Sequence, residues 1–279
     1  MATICVNGKF TDADKAVLPA SNRSYRYGDG LFETMKVING CIQLANLHMD
    51  RLFKSLSLLK FDIPGLFNAE IIQKKILELC RHNECEEMAR VRLSVSRGNG
   101  GLYDEDRKLQ YLVECWPLNK SVTQLNENGL VIDIYPDAAK NTDRFSNLKS
   151  ANFLVYSMAA CYARENKLND CLVLNTLQQI ADSTIANLFL VKGETIFTPA
   201  LSEGCVNGVM RRHLLESLTA ADYAVKETTI SADELLTADE VFLTNAINGI
   251  RWVQRCRDKV YSNLKTMEIY RRFCQTIPA

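Results

Sequence analysis

The 279-residue chain carries 33 basic and 33 acidic residues, so its formal net charge is zero. Without net charge it has no long-range field to recruit nucleic acid or an anionic membrane surface, which favours a small-molecule ligand. Hydrophobic residues make up 47% of the chain, enough for the cores of two domains or one large one.

Cysteine usage and the N-terminus indicate the compartment. The ten cysteines form no CxxC pair and mostly lie in apolar runs such as 171–174, as buried thiols of a reducing compartment do. The N-terminus has no basic segment followed by a long apolar one, and no run approaches the ~18 apolar residues of a membrane span. We therefore expect a cytoplasmic protein.

The first part of the chain predicts an antiparallel sheet with two helices. Strands are predicted over 3–10 and 31–44, turning at Asn7-Gly8 and Asn39-Gly40, which are hairpin signals. Helical spacing of apolar residues over 46–59 and 68–81 predicts two helices, and strands over 89–96 and 109–116 follow. The pattern indicates a compact α+β domain over 1–117.

Residues 118–128 are polar and lack an apolar period, so we predict an interdomain linker there. The remaining 129–279 are predicted to form a larger C-terminal domain. Its strands are expected over 130–135, 171–175, 187–191, 223–227 and 240–244. Its helices are expected over 150–165, 207–218 and 263–275.

The sequence motifs of several common catalytic sites are absent. GxSxG, HExxH and GxxxxGK[ST] are absent, and the chain has only three histidines, so neither a serine triad nor a metal cluster is expected. A desolvated lysine is another route to a nucleophile. Lys149 lies among Phe145, Ala151, Asn152 and Phe153 without an acid at helical spacing, which predicts a buried amine able to condense with a carbonyl. The alternative is an ordinary solvated lysine.

The chain also has the groups that a phosphorylated aldehyde cofactor requires. Asp182 precedes an apolar strand and could face the cofactor ring, or it could cap its own turn. The loop 204–208 contains two glycines and runs into a helix, where free N–H groups bind phosphate. Arg51 could supply the counter-charge, or it could be a surface residue paired with Asp50 or Asp14.

Taken together and in order, these segments resemble the fold-type IV, or class IV aminotransferase-like, family of pyridoxal phosphate enzymes. The resemblance covers nearly the whole chain and rests on six blocks, which together are far more specific than any one. The blocks are YGDGLFET (27–34), HMDRL (48–52), NLK (147–149), DSTIANLF (182–189), CVNGVMR (205–211) and TNAINGI (244–250).

The resemblance implies a two-domain fold like that of D-amino-acid aminotransferase, with a small N-terminal α/β sandwich and a larger C-terminal pseudo-barrel that carries the cofactor. It implies that Lys149 forms the Schiff base with pyridoxal 5'-phosphate and shuttles the substrate proton. The implied cofactor contacts are Arg51, Asp182, Asn187, Val209, Met210, Asn245 and Ala246. Asp182 departs from the family, which usually has glutamate there, so a carboxylate is kept but one methylene is lost.

Three activities occur in the family, and the blocks distinguish them in part. Branched-chain transaminases share a Phe-Glu-Gly block and a Gly-Thr-Ala-Ala-Glu turn, whereas this chain has FET at 32–34 and TNAIN at 244–248. D-amino-acid transaminases carry an arginine and a histidine soon after an Arg-Gly pair, which RGNGGLY at 97–103 lacks. Aminodeoxychorismate lyase is similar through SRGNGG (96–101), VNGVMR (206–211) and Asn245-Ala246, so we expect that lyase, with a branched-chain or D-amino-acid transaminase as the alternative.

Substrate contacts are expected from Tyr27, Glu33 and Arg97. Arg97 could pair with a substrate carboxylate through its planar fork, or it could hold a turn by contacting Asp104 or Glu105. The family resemblance further implies a homodimer. The balanced charge and the lack of a long apolar run lead us to expect neither nucleic acid nor membrane as a partner. A third hypothesis is a catalytically inactive binding protein, which only the departure at Asp182 favours.

Overall fold

The computed structural model describes residues 2–15, 17–104 and 107–277, which divide into two compact units. The N-terminal unit comprises the described residues up to Lys120 together with Lys149–Asn152. The C-terminal unit comprises Ser121–Leu148 and Phe153–Ile277. This α+β arrangement is the fold class that the sequence predicts.

In the described residues of the N-terminal unit, six strands form one antiparallel sheet in the order β2-β1-β6-β5-β3-β4. Helix α2 packs against β3, and α3 packs against β1 and β6. The elements are β1 (Thr3–Val6), β2 (Lys9–Asp12), α1 (Arg23–Tyr27), β3 (Gly30–Ile38), β4 (Cys41–Ile42), α2 (Ala45–Leu58), α3 (Ala69–His82), β5 (Met88–Ser96) and β6 (Gln110–Pro117).

Both predicted hairpin turns are confirmed. Asn7 and Gly8 have φ of 48° and 85°, and Asn39 and Gly40 have φ of 49° and 74°. Positive φ at both central residues is the two-residue turn whose twist matches antiparallel strands, and asparagine and glycine adopt it at the least steric cost. The turns set the registers Val6 with Lys9 and Ile38 with Cys41.

The C-terminal unit contains a mixed sheet with the order β12-β11-β10-β13-β14-β7-β8-β9, and β15 pairs with β14. Its strands are β7 (Leu130–Ile134), β8 (Asp170–Leu174), β9 (Ile180–Ser183), β10 (Asn187–Lys192), β11 (Thr195–Pro199), β12 (Val225–Thr228), β13 (Glu240–Asn245), β14 (Gly249–Cys256) and β15 (Lys259–Val260). Its helices are α4 (Leu154–Glu165), α5 (Val209–Ala220), α6 (Ala232–Leu236) and α7 (Leu264–Ile269), which continues as a π-helical turn, Tyr270–Cys274.

The sheet of the C-terminal unit is curled. Strand β9 ends the hydrogen-bonded order, yet it lies against β10 and β11 near the opposite end. Strands buried on both sides form the core, as β10 and β13 show by burying five successive residues each. Helix α4 packs outside on β8 through Tyr156, Ala159 and Ala163. The half-barrel implied by the family resemblance is therefore present.

The predicted helices and strands are present, with shifted ends. The predicted helix over 263–275 is α-helical only to Ile269 and then π-helical, and α4 begins at Leu154 instead of residue 150. The prediction missed α1, β9, β11, α6, β14 and β15, which are short or lie in stretches without a clear apolar period.

The segment predicted as a linker, 118–128, is tied to the C-terminal unit over its second half. Asn126 donates from its Nδ2 to the Trp252 carbonyl at 3.0 Å, and its Oδ1 accepts from the Trp252 amide at 3.0 Å. Lys149–Asn152 are grouped with the N-terminal unit, whereas the predicted boundaries place them in the C-terminal domain. The reason is local pairing with β3, described below.

Within the described residues, no helix is long and apolar enough to cross a membrane.

Candidate active site

Lys149 lies on an extended segment that pairs with β3. Ser150 forms an antiparallel bridge opposite Leu31, the Phe32 amide donates to the Lys149 carbonyl at 3.0 Å, and the Ala151 amide donates to the Gly30 carbonyl at 2.9 Å. These bonds replace the helical ones predicted from residue 150, which is why α4 starts later. The strand therefore fixes the backbone at Lys149 and over the two residues that follow it.

The Lys149 side chain, for which a buried amine is predicted, is half-buried. Its Nζ lies 4.5 Å from the centroid of the Phe32 ring, a cation–π distance. Its positive charge also contributes to lowering the pKa of His48. The amine thus lies beside an aromatic ring and within electrostatic reach of a buried histidine.

Glu33, His48 and Arg51 form a buried polar cluster in the same unit. Glu33 is 1% exposed and accepts from Arg51 Nε at 2.8 Å and Arg51 Nη2 at 2.5 Å, a two-point ion pair. His48 Nδ1 lies 2.6 Å from Glu33 Oε2. Arg51 therefore pairs with Glu33, and Asp50, one of its two alternative partners, pairs with Lys54.

The pKa values of this cluster keep Glu33 charged and His48 neutral. Burial raises the pKa of Glu33, but the charge of Arg51 and the contacts with His48 outweigh it and lower that pKa to about 2. Burial lowers the pKa of His48. The proton of neutral His48 is on Nδ1, which donates to Glu33, and the buried Nε2 has no hydrogen-bond partner among the described residues.

Arg97 is held from two sides. Its Nη1 pairs with the Asp29 carboxylate and its Nη2 donates to the Leu59 carbonyl. Its guanidinium also lies 4.3 Å from the centroid of the Phe61 ring. Asp104 accepts from the Gly101 amide at 2.7 Å.

Glu105 lies outside the described residues. Tyr27 ends α1 and is 39% exposed.

Asp182 is on strand β9 in the C-terminal unit and is 2% exposed, so it does not cap a turn. Its carboxylate accepts from the Tyr156 hydroxyl at 3.0 Å and 3.1 Å and from the Val206 amide at 2.9 Å. Lys140 Nζ lies 3.5 Å from the same carboxylate. Burial and the charge of Asp182 raise the pKa of Tyr156, which stays a hydrogen-bond donor.

The loop before α5 is fixed by two asparagines. Asn147 donates from its Nδ2 to the carbonyls of Leu201 at 2.8 Å and Cys205 at 2.7 Å. Asn187 donates to the Val206 carbonyl at 2.8 Å. Asp182 accepts from the Val206 amide, so both the amide and the carbonyl of Val206 are hydrogen-bonded to side chains.

The start of α5 leaves backbone donors available. Gly208 is its N-cap and provides no side-chain cap. The first N–H groups of a helix have no intrahelical acceptor, so those of Val209 and Met210 are suited to an anion. A Cβ on Gly208 would lie 1.9 Å from Asn187 Oδ1, so glycine keeps this approach open.

The turn between β13 and β14 contains the last two predicted cofactor contacts of the C-terminal unit. Asn245 Oδ1 accepts from the amides of Ile247 at 3.1 Å and Asn248 at 2.8 Å, and Ala246 lies within that turn. Asn187 pairs with Thr244 in the register of β10 and β13, which brings this turn to the same end of the sheet. The buried Thr244 hydroxyl has no hydrogen-bond partner in the described part of the chain.

Within each unit, the structure brings most predicted residues together. Lys149, Glu33 and Arg51 gather around His48 in the N-terminal unit. In the C-terminal unit, Asp182 and Asn187 meet at Val206, three residues before Val209, and the Asn245-Ala246 turn lies at the same end of β10 and β13.

Sequence reasoning missed three of these partners. His48 precedes Arg51 by three residues on α2, a spacing that indicates a shared helix face and could have identified it. Lys140 and Tyr156 gave no such signal.

The comparisons with known proteins agree on a family. A family model described as amino-transferase class IV matches residues 30–256. Aminodeoxychorismate lyase of Bacillus subtilis (strain 168) is 29% identical over 253 residues, covering 88% of this chain and 83% of that protein. A putative branched-chain-amino-acid aminotransferase of Methanocaldococcus jannaschii is 28% identical over 280 residues, covering 96% and 93%. D-alanine aminotransferase of Bacillus licheniformis is 24% identical over 249 residues, covering 87% and 84%.

Solved structures share the fold. The structure of 4-amino-4-deoxychorismate lyase from Pseudomonas aeruginosa superposes with a TM-score of 0.82 at 25% identity, covering 97% of this chain and 96% of that one. The T.th. branched-chain amino acid aminotransferase with pyridoxamine 5'-phosphate has a TM-score of 0.85 at 18% identity, covering 99% and 94%.

Proposed function

We propose, from the premise that this chain belongs to the class IV aminotransferase family, that it is an aminodeoxychorismate lyase, which converts 4-amino-4-deoxychorismate to 4-aminobenzoate and pyruvate. The family consists of enzymes that use pyridoxal phosphate, and the fold is theirs. The choice of the lyase is supported by the similarity to the Bacillus subtilis lyase and by the SRGNGG and VNGVMR segments.

The residues of this chain fit pyridoxal phosphate. The observation that carries the assignment of the cofactor is the start of α5, where an uncapped helix N-terminus follows a loop held on both sides of Val206 and a glycine whose Cβ would collide with Asn187. Such a site binds a phosphate through backbone N–H groups. Val209 and Met210 would hold the phosphate, and the Asn245-Ala246 turn would assist.

Other residues would hold the remaining parts of the cofactor. Lys149 would bond to its aldehyde carbon, and Arg51, oriented by Glu33, would offset the phosphate charge. Asp182 would face the ring nitrogen, with Tyr156 and the Val206 amide orienting its carboxylate. Bound pyridoxal phosphate supplies an electron sink for negative charge at the carbon next to the substrate nitrogen.

Lys149 would then act on the substrate. With its backbone fixed by β3, its amine would take the proton from the carbon that bears the nitrogen. The C–O bond on the neighbouring ring carbon would break, so that the ring becomes aromatic and pyruvate leaves as its enol. Neutral His48 beside charged Glu33 adds no positive charge to this region. Tyr27, Glu33 and Arg97 are proposed to shape or bind the substrate.

The test is an assay of the purified protein with pyridoxal phosphate and 4-amino-4-deoxychorismate. We expect pyruvate and 4-aminobenzoate in equal amounts, and none above background from Lys149→Ala. Borohydride reduction followed by peptide mapping should place the cofactor on Lys149. Label scattered over exposed lysines, with no product, would favour the inactive binding protein instead.

An amino-acid transaminase is the alternative, since the Methanocaldococcus jannaschii relative covers 96% of this chain. It predicts that leucine or alanine with 2-oxoglutarate yields glutamate. If the amino-acid assay yields glutamate and 4-amino-4-deoxychorismate releases no pyruvate, the transaminase assignment replaces the lyase assignment. Both reactions need the same proton transfer by Lys149, so substrate geometry decides between them.

We further propose a cytoplasmic homodimer. All ten cysteines are free thiols, which suits a reducing compartment. The dimer rests on the family resemblance alone, and sedimentation equilibrium of the purified chain would show twice the monomer mass if it is correct.

A further inference from the structure

Three cysteine sulfurs meet in the N-terminal unit. The Sγ atoms of Cys80, Cys85 and Cys115 all lie within 4.8 Å of one another, and those of Cys85 and Cys115 are 3.6 Å apart. Their exposed fractions are 0%, 4% and 7%. All three are free thiols, and none belongs to the cofactor residues described above.

The end of α3 brings two of the sulfurs together. Cys80 is in the last turns of the helix, and Glu84 reverses the chain with φ of 53°. The Cys85 amide then donates to the Cys80 carbonyl at 2.9 Å, which closes the turn and places Cys85 beside Cys80. Cys115 comes from β6, against which α3 packs. The cluster is therefore fixed by the main chain of a helix end and a strand.

Asn83 orients the third sulfur. Its Nδ2 donates to Cys115 Sγ at 3.2 Å and to the Thr3 carbonyl at 2.8 Å, while its Oδ1 accepts from the Thr3 amide at 3.0 Å. The amide is thus locked to β1 and holds Cys115 by a hydrogen bond. Outer hydrogen bonds of this kind orient metal ligands in proteins.

The spacing suits a three-coordinate soft metal ion. Metal–sulfur bonds of about 2.3 Å in a trigonal plane place the sulfurs about 4 Å apart, so the present separations need only small shifts. In the described part of the chain, no histidine, carboxylate or further cysteine joins the three sulfurs. Zinc prefers four ligands, and this cluster supplies only three. Soft thiolate ligands favour Cu(I) among the remaining metal ions.

We infer that Cys80, Cys85 and Cys115 form a trigonal binding site for Cu(I). As three Cu–S bonds form, the thiol protons still present are released to solvent, and neither the copper nor the sulfur changes oxidation state. The site is separate from the proposed lyase activity, and its failure would leave that proposal untouched.

The test is an anaerobic Cu(I) titration of the full chain against a chromophoric Cu(I) chelator. We expect one equivalent to be withheld from the chelator by the wild-type protein. Cys85→Ser and Cys115→Ser should each weaken binding by at least 100-fold. Cys5→Ser is the matched control, because Cys5 is buried in the same unit but outside the cluster, and it should bind within threefold of wild type.

A second measurement does not depend on how the variants fold. X-ray absorption of the wild-type protein with one equivalent of Cu(I) should show three sulfur neighbours at a single distance. Two sulfurs, or nitrogen and oxygen neighbours, would overturn the inference. The inference would also be overturned if the chelator removed Cu(I) equally from the wild type and Cys85→Ser. It would be overturned as well if Cys5→Ser weakened Cu(I) binding as much as Cys115→Ser does.

Discussion

At the scale of single residues, the cluster of Glu33, His48 and Arg51 shows how burial and pairing oppose each other. Glu33 stays ionised because Arg51 and His48 outweigh the cost of burying it, while His48 stays neutral because its burial, with the charges of Arg51 and Lys149, outweighs the contact with Glu33 that raises its pKa. Both pKa values are lower in the folded chain than in the unfolded one. The unfolded state therefore binds more protons in acid, and the folded state loses stability as pH falls.

We predict two steps in that loss. The contribution of His48 disappears as pH falls below its ordinary pKa of 6.5, and that of Glu33, on the order of 3 kcal/mol, disappears between 4.5 and about 2. Denaturant unfolding at successive pH values measures both. His48→Gln should flatten the curve between pH 7 and 5.5, whereas His82→Gln, at an exposed position, should not. Equal slopes for the two variants would contradict the assignment to His48.

Arg97 is a predicted substrate contact whose side chain is already held within the protein. Its two terminal nitrogens are engaged by Asp29 and Leu59, so its fork is positioned before any substrate arrives. If it binds a substrate carboxylate, Arg97→Ala should raise KM about tenfold or more with a smaller change in kcat.

Asp29→Asn is the control for Arg97. It weakens the internal ion pair but leaves the guanidinium in place, so KM should change by less than threefold. If both variants lower stability and neither changes KM, Arg97 only holds its turn.

At the scale of elements, the loop before α5 depends on one close approach. Gly208 has φ of −66°, so alanine would cause no backbone strain there, but its Cβ would displace the Asn187 side chain. That displacement breaks the bond to the Val206 carbonyl and leaves a partly buried acceptor unpaired, which costs on the order of 1 kcal/mol.

A double-mutant cycle tests this explanation. Gly208→Ala and Asn187→Ala should each lower the free energy of unfolding, and the double variant should be little worse than Asn187→Ala alone. Gly65→Ala is the control, because a Cβ there meets nothing within 4 Å. Additive losses would mean that Asn187 is not the obstacle.

At the scale of the whole molecule, cofactor binding should stabilise the fold. A ligand that binds only the folded state at 100 times its Kd adds about 2.7 kcal/mol, which for a chain of this size raises Tm by roughly 5 °C or more. Pyridoxal phosphate should produce this shift, and pyridoxal without the phosphate should produce much less. Calorimetry measures both.

Val209→Pro is the matched variant. Proline is accepted at the first position of a helix, and Gly208 already has the extended conformation that precedes proline, so α5 should be kept while one N–H that we propose binds the phosphate is lost. The shift with pyridoxal phosphate should fall and that with pyridoxal should not. An unchanged shift would place the phosphate elsewhere.

Local signals determined most of the fold. The Asn-Gly turns, the helical spacing of α2, α3 and α5 and the apolar runs of β7, β8, β10 and β13 depend on residues within a few positions of each other, and each is present. The six ordered blocks likewise identified the family, because a motif is a local pattern. The sequence alone thus determined the α+β class, the hairpins, the family and its cofactor.

Only the tertiary structure decided the contacts that depend on residues far apart in the chain. Pairing of Lys149 with β3 delays α4, because backbone bonds to a strand more than a hundred residues away satisfy the segment that would otherwise be helical. The contacts of Asp182 with Tyr156 and Val206, and the meeting of Cys115 with Cys80 and Cys85, have the same origin. Propensity and spacing carry no information about which distant side chains share a buried volume, whereas packing does.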